Sequence, residues 1–388
     1  MMASSRFRVV ATDTASAVDS AAWERVLVAA GGDVLSSIPF LRAVEQAKGT
    51  DQLGYCTVWE GDTAVAAFNW FLMRVDLAVL APSSSRRVMS YLRPVTGWLL
   101  APRVLFCGVP VSAGGRALMV DPTRDVPAIV AVVEDHLSRM ASATRATLVV
   151  YKELGGSDDP VRQVLEGAGY VAATTPSMYS LATDQFGSFE DYLGSLKSHY
   201  RQDINRSLRK ARRRELTLRS FTGPAAIAEV YDERAHGLYR QVEGAAEHRL
   251  EQLPREFFVA LAREFPDDVF LTLAQLDGEV VGCHWGLRQE GSYYFLFCGL
   301  HYPANRYADV YFNLMYAELG NALRAGARFV QLGQTAQRFK ARLGAVSSPR
   351  SVCVRGRQPV LHTVLRRLAP VLFVEEEALG PLSIFKPL

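Results

Sequence analysis

Residues 268–300, DVFLTLAQLDGEVVGCHWGLRQEGSYYFLFCGL, constrain the fold most. Three apolar, β-branched and aromatic runs are joined by LDGE and QEGS, tight-turn sequences whose Asp-Gly and Glu-Gly pairs suit the positive backbone angles of two-residue hairpins. The spacing predicts consecutive antiparallel strands. A long helix over ADVYFNLMYAELGNALRAG and a strand over ARFVQLG follow, and helices over PAAIAEVYDERAHGLYRQVE and PREFFVALAREF precede. The first half has a comparable order: strand FRVVAT, helix SAAWERVLVAAG, a hairpin over LGYCTVWEGDTAVAAFNWFLMRV turning at EGDT, strand RVLFCGVPV, helix VPAIVAVVEDHLSRMASA and strand TLVVYKEL. The expected class is α/β, with a mixed, mostly antiparallel sheet flanked by helices in each half. Similar order without a residue-level repeat suggests an internal duplication. With 388 residues against the roughly 250 to 300 at which single cores stop growing, two domains are expected, 1–180 and 181–388, joined near ATTPSMYSLATDQFG.

Composition excludes several classes. Hydrophobic residues make 49% and charged residues 21%, as in an ordinary folded protein, and 43 basic against 40 acidic residues leave only +3. Any electrostatic function must therefore be local. Cys56, Cys107, Cys283, Cys298 and Cys353 are odd in number and form no CxxC pair, so they read as reduced core thiols of a cytoplasmic protein. The N-terminus carries Asp13 and Asp19 and no signal-like apolar block. The most apolar window, TGWLLAPRVLFCGVPV, is broken by Pro102 and Arg103, short of the ~20 residues of a membrane helix, so no span is expected. The seven histidines show no HExxH grouping, and no GxSxG elbow occurs, so neither a metal site nor a serine hydrolase is expected.

The order hairpin strand, helix ending in A-x3-G, strand ending in L-G and then F-K-x-x-L-G, here Phe339, Lys340, Leu343 and Gly344, resembles the C-terminal domain of the Fem-type transferases and their bacterial relatives with tandem GNAT-like domains, including FemAB-like and BioF-like acetyltransferase domains. The resemblance is readable over roughly 185–350 and extends to the first half by architecture. It implies two GNAT-like domains in one chain and transfer of an activated acyl group to an amine, with no bound cofactor. In ordinary GNAT enzymes the turn before the long helix reads [QR]-x-x-G-x-[GA], because small residues let backbone amides approach the coenzyme A pyrophosphate. HYPANRYADVYF contains no glycine there, and Asp309, a possible helix cap, would repel a pyrophosphate. Fem-type enzymes also lack that signature and use aminoacyl-tRNA. The expected co-substrate is therefore aminoacyl-tRNA, with acyl-CoA, held through arginines such as Arg306, as the alternative.

Aminolysis needs a proton acceptor and a donor for the developing oxyanion. The resemblance places Lys340 at the aminoacyl end of the site; otherwise it is a surface lysine. Gln334 and Thr335, in GQT after the strand ARFVQL, stand at a carboxyl strand end and can orient an acyl carbonyl, or Gly333 and Thr335 simply turn and cap the next helix. Phe339 is expected beside the acyl group. Arg338 and Arg342 flank Lys340 and are candidate phosphate ligands. His284 points to the sheet face opposite Cys283 and Trp285, as a proton acceptor or a structural histidine. Tyr307 and Tyr311 either pack in the core or stack on a base.

The most basic stretch, KSHYRQDINRSLRKARRREL at 197–216, holds eight Lys or Arg and two acids. On a helical wheel Tyr200, Ile204, Leu208 and Ala211 share one arc, so the helix docks and its charge is held in place. Fem-type relatives open their second domain with a similar R-x4-R, which assigns Arg201 and Arg206 to an anionic acceptor and leaves Arg209, Lys210, Arg212, Arg213 and Arg214 for tRNA. A solvated helix face is the plain alternative. Three functions stay open: an aminoacyl or acyl transferase acting on a small-molecule or precursor amine, a non-catalytic RNA-binding protein on a degenerate GNAT fold, and an acyltransferase for peptidoglycan precursors or polysaccharides that works at an anionic lipid surface.

Overall fold

The computed structural model describes residues 6–46, 52–75, 101–111, 114–245, 253–372 and 382–386. Their order is β1 (Phe7–Thr12), α1 (Ser20–Ala29), α2 (Ile38–Val44), β2 (Gln52–Glu60), β3 (Thr63–Arg74), β4 (Arg103–Cys107), β5 (Leu118–Val120), α3 (Val126–Ala143), β6 (Leu148–Leu154), α4 (Pro160–Gly167) and β7 (Val171–Ala182). Then come α5 (Phe189–Ser195), α6 (Ser198–Arg213), β8 (Thr217–Thr222), α7 (Pro224–Val230), α8 (Glu233–Ala245), α9 (Arg255–Glu264), β9 (Val269–Leu276), β10 (Glu279–Gln289), β11 (Ser292–Leu300), α10 (Tyr302–Ala308), α11 (Val310–Arg324), β12 (Phe329–Gly333), α12 (Gln337–Arg342), β13 (Val346–Gly356) and α13 (Pro359–Leu372).

Met1–Pro176, Glu247–Phe257 and Pro349–Glu376 form one compact unit, and Ser177–Ala246, Phe258–Ser348 and Glu377–Leu388 form the second. The chain thus crosses between units several times, whereas the sequence reading has a single cut at 180/181. That point falls inside β7, because the division follows strand exchange. In the first unit β1, β2, β3 and β4 are antiparallel neighbours, β4 runs parallel to β6, and β6 pairs antiparallel with β13 from the far end of the chain. In the second unit β8, β9, β10 and β11 are antiparallel neighbours, β11 runs parallel to β12, and β12 pairs antiparallel with the end of β7. The two units repeat one strand pattern, each completed by a strand that local sequence assigns to the other half. Each unit thus holds a mixed, mostly antiparallel set of strands flanked by helices, which is the α/β architecture expected.

Local chemistry explains the elements. Asp19, Asp125, Asp159 and Ser188 cap α1, α3, α4 and α5 by accepting first-turn amides. Helix α3 buries Val126, Ile129, Val130, Val133, Leu137 and Ala141, the i, i+3, i+4 stripe of a core-facing helix. Asp277 and Gly278 (φ 52° and 80°) and Glu290 and Gly291 (29° and 82°) all take positive φ in the two turns of the β9–β11 meander.

Two expected helices differ. The one over 224–243 breaks into α7 and α8 around Tyr231 and Asp232. Tyr231 is buried edge-on against Trp285 at 4.8 Å, and Asp232 accepts the Ala235 amide to start a new helix. The long helix begins at Val310, after Asp309 in the left-handed conformation (φ 53°), and the glycine-free segment before it is helical as α10. No helix among the described residues is long and apolar enough to cross a membrane. Residues 96–100 of the apolar window, and residues 1–5, lie outside the described residues. Cys56, Cys107, Cys283 and Cys353 are buried free thiols, and Cys298 is half-buried.

Candidate active site

The site begins where two parallel strands part. β11 and β12 pair only at Ser292–Phe329, Tyr293–Val330 and Tyr294–Gln331, although β11 continues to Leu300. The gap opens at the carboxyl end of β12, where open α/β sheets take ligands. The loop after β12 then runs through three positive-φ residues, Gly333 (72°), Thr335 (65°) and Ala336 (50°). For a β-branched residue such as Thr335 this conformation is strained, a feature that clusters at functional sites. Thr335 is exposed and does not cap α12, whose N-cap is Ala336 without a side-chain bond.

This loop folds α12 back so that Lys340 enters the gap, only 2% exposed. Its Nζ donates to the Gln334 carbonyl oxygen and lies 6.0 Å from the centre of the Tyr179 ring. A Cβ at Gly333 would stand 4.0 Å from that nitrogen, so the glycine leaves the ammonium room. Burial lowers the Lys340 pKa to about 7, partly opposed by Cys298. A lysine held there is present in both protonation states near neutrality.

His284 and Glu318 sit behind it on the α11 face of the sheet. Cys283 and Trp285 face the other way, toward Ala235 and Tyr231. His284 is 3% exposed, packs edge-on against Phe295 at 5.0 Å, and has its Nδ1 3.9 Å from Glu318 Oε2. Burial, then the nearby Lys340 charge, lowers its pKa to about 3, so the ring is neutral. Glu318 is fully buried, and burial raises its pKa to about 7 against hydrogen bonds that lower it. Cys298 also lines this face; burial pushes its thiol up to about 11, which suits it poorly as a nucleophile.

An aromatic wall closes one side. Phe339 packs against Phe312, Tyr311 and Tyr316 at 4.9, 5.6 and 6.1 Å between ring centres. Phe312 and Tyr307 are 38% and 47% exposed. The Tyr311 backbone amide is taken by Asn305 Oδ1 at 2.8 Å. The Asp309 side chain does not cap α11; its carboxylate holds Lys210 at 2.6 Å, and Lys210 also donates to the Arg306 carbonyl oxygen.

Helix α6 docks as the wheel implies, burying Ile204, Ser207 and Ala211. Its cations divide by partner. Arg206 lies 3.3 Å from Asp203, which also pairs with Arg342, so Arg342 spends its guanidinium on an acid rather than a phosphate. Arg214 stacks 4.1 Å over the Tyr307 ring and bonds its hydroxyl. Arg209, Arg212 and Arg213 are exposed, and no ion pair among the described residues holds them; Arg201 is half-buried. Lys340, His284, Gln334, Phe339 and Tyr311 are therefore close together, while the α6 cations form a separate surface. Sequence reasoning missed Glu318, Cys298 and Tyr179. The available signal for Glu318 was its place with Asn313 and Asn321 in the otherwise apolar NLMYAELGNAL. No group of three or more His, Cys, Asp or Glu among the described residues could hold a metal ion.

Residues 198–341 match the acetyltransferase (GNAT) domain family. The fold is similar to that of FemX (TM-score 0.56, 10% identity, 89% of this chain and 98% of that one). It is also similar to a tandem GNAT protein from the clavulanic acid biosynthesis pathway (TM-score 0.56, 15% identity, 91% and 99%). A third similar structure is the C-terminal domain of a putative lysylphosphatidylglycerol synthetase from Agrobacterium fabrum (TM-score 0.52, 10% identity, 93% and 98%). No curated protein sequence matches the chain.

Proposed function

We propose that this chain, whose residues 198–341 match the acetyltransferase (GNAT) domain family, is a Fem/GNAT-type acyltransferase that makes an amide by moving an aminoacyl group from aminoacyl-tRNA to the amine of a small molecule or precursor. The observation that carries the choice of donor is the entrance to α11. A pyrophosphate needs free backbone amides at a helix N-terminus. Here that approach is filled by α10, the Tyr311 amide is already bonded by Asn305, and the Asp309 carboxylate stands at the helix start. An aminoacyl ester brings its own activation and needs no such cradle.

The roles follow from the chemistry of the groups. The attacking amine must be neutral, and its nitrogen forms the new bond to the acyl carbon as the ester C–O bond breaks. Lys340, as ammonium, supports the oxyanion of the tetrahedral intermediate. His284, held neutral by burial, is the group placed to take the amine proton, and its lowered pKa requires the neighbouring Glu318 carboxylate to support the imidazolium. Gln334 and Thr335 border the acyl carbonyl, and the Phe339, Tyr311 and Phe312 wall packs the acyl side chain. Exposed Arg209, Arg212 and Arg213 suit a phosphate backbone, and half-buried Arg201 an anionic acceptor, whereas Arg206 is already paired with Asp203. Dependence on charged tRNA places the reaction in the cytoplasm. A buried lysine beside a buried histidine and glutamate is costly to keep, which favours an enzyme over a purely RNA-binding protein.

The test is mass spectrometry of the purified protein for co-purifying tRNA and CoA species, followed by transfer assays with labelled aminoacyl-tRNA and with acetyl-CoA. Recovered tRNA and amide formed from its aminoacyl ester are expected. Stoichiometric acyl-CoA without RNA would replace the donor, and RNA binding with no transfer from either donor would sink the enzyme reading.

A further inference from the structure

A dry row of titratable groups runs inward from the parted strands: Lys340, then His284, then Glu318, at 2%, 3% and 0% exposure. Two features of this row are unexpected in a core. The buried His284 Nδ1 has no hydrogen-bond partner, and Glu318 has no direct cation at hydrogen-bond range among the described residues. The carboxylate is fixed by Tyr293, whose hydroxyl donates to Oε2 at 2.5 Å, and by Asn321, whose Nδ2 donates to Oε1 at 3.4 Å. Asn321 is itself tied to Ser220 and Thr272 and accepts from Arg324. Phe295 limits rotation of the His284 ring.

We infer that Glu318 is a positioning residue that accepts Nδ1–H from His284 and so leaves Nε2 bare, as the proton acceptor behind Lys340. A movement of about 1 Å brings the 3.9 Å separation into hydrogen-bond range. An imidazole that donates from Nδ1 must accept at Nε2. The carboxylate also stabilises the imidazolium that forms transiently, as a buried acid does in hydrolytic triads. The proton of the attacking amine passes to Nε2 as the N–C bond forms, and returns from Nε2 to the leaving oxygen or sulfur as its bond to the acyl carbon breaks. No net proton is gained or lost.

The groups facing Glu318 are His284 from β10, Tyr293 from β11, Thr272 from β9, and Asn321 and Arg324 from α11; Lys340 and Cys298 act from beyond the imidazole. Burial raises the carboxyl's pKa, so acid that protonates Glu318 removes the acceptor from Nδ1.

This inference rests on the acyl-transfer reading of the Lys340 site, but its first test needs no substrate. Long-range 1H–15N spectra of the full chain with 15N-labelled histidine, with His284 assigned by its loss in His284→Gln, are expected to show Nδ1–H and a bare Nε2 at pH 8. In Glu318→Met the Nε2–H form is expected to dominate. An Nε2–H tautomer in the unaltered protein overturns the inference even if the methionine variant fails to fold, as does an unchanged tautomer in a folded variant. With a working donor, Glu318→Met should lower kcat ten- to hundredfold with KM nearly unchanged. The double variant with His284→Gln should then be no slower than His284→Gln alone, and additive losses would overturn the shared role. A wrong donor assignment leaves the tautomer result standing, so the two failures are separable.

Discussion

The two units place a glutamate at the same point of the same element. Glu134 is the ninth residue of α3 and Glu318 the ninth of α11, and each helix lies between the two parallel strands of its unit. Each carboxylate accepts a tyrosine hydroxyl from the sheet, Tyr151 for Glu134 and Tyr293 for Glu318. Their remaining partners differ. Glu134 also accepts from Tyr170 and is ion-paired with Arg355, which stacks on the Tyr170 ring at 4.8 Å. Glu318 meets His284 instead of a guanidinium. The first unit closes its carboxylate with a permanent countercharge, and the second leaves it facing a group that can gain and lose a proton. One framework thus holds its carboxylate against a fixed countercharge in one unit and beside an imidazole in the other.

The largest expected effect lies in the second unit. Lys340→Ala should reduce transfer by about 100- to 1000-fold, as loss of an oxyanion donor does, measured as kcat/KM with the productive donor. Glu134→Gln should leave the rate per folded molecule unchanged. Unchanged turnover in the lysine variant would erase the functional contrast.

Next is stability. Glu134→Gln removes the partner of Arg355 and should cost ~2 kcal/mol in chemical denaturation, reduced from a fully buried pair because Arg355 is partly exposed. Lys340→Met should do the opposite. Its folded pKa, about 7, lies below its usual value, so between roughly pH 7 and 10 the unfolded state binds more protons and stability rises with pH. The methionine should remove that slope and add ~2 kcal/mol at pH 7, with less gain at pH 9.5. Equal gains at both pH values would show that the lysine is not held against its charge.

A smaller effect concerns the α6 surface. Replacing Arg209, Arg212 and Arg213 together by Gln should make the salt dependence of RNA binding shallower by about 2 to 3 in log K per log salt, since each phosphate contact contributes ~0.9. It should spare turnover of a minimal aminoacyl donor. An unchanged slope would return these arginines to an ordinary solvated face. Smallest is Thr335→Gly, which relieves left-handed strain and should raise stability by ~0.5 to 1 kcal/mol while loosening the loop that delivers Lys340.

Much of the fold was legible because it is written in local chemistry. Asp-Gly and Glu-Gly turns with positive φ specify the β9–β11 meander, and the apolar stripe of α3 specifies which face it buries. The glycine-free approach to α11 was also readable, as was the docking of α6 through Ile204 and Ala211. The break at Tyr231 was not, because a ring seated on Trp285 outweighs helical periodicity across that point. Nor was the pairing of Lys210 with Asp309 or of Arg342 with Asp203, partners 99 and 139 residues apart.

By itself, then, the sequence determined two α/β halves, a meander leading to a strand and an F-K-x-x-L-G helix, and a docked cationic helix. Tertiary structure alone decided that the end of β7 pairs with β12 and that β13 pairs with β6, each outside the half to which local sequence assigns it. It also decided that β11 and β12 part to admit Lys340, and that His284 meets Glu318 rather than an arginine. The physical reason is that turn angles and periodicity act between near neighbours in the chain. Desolvation and the partner of a buried charge depend on which distant residues the fold brings beside it.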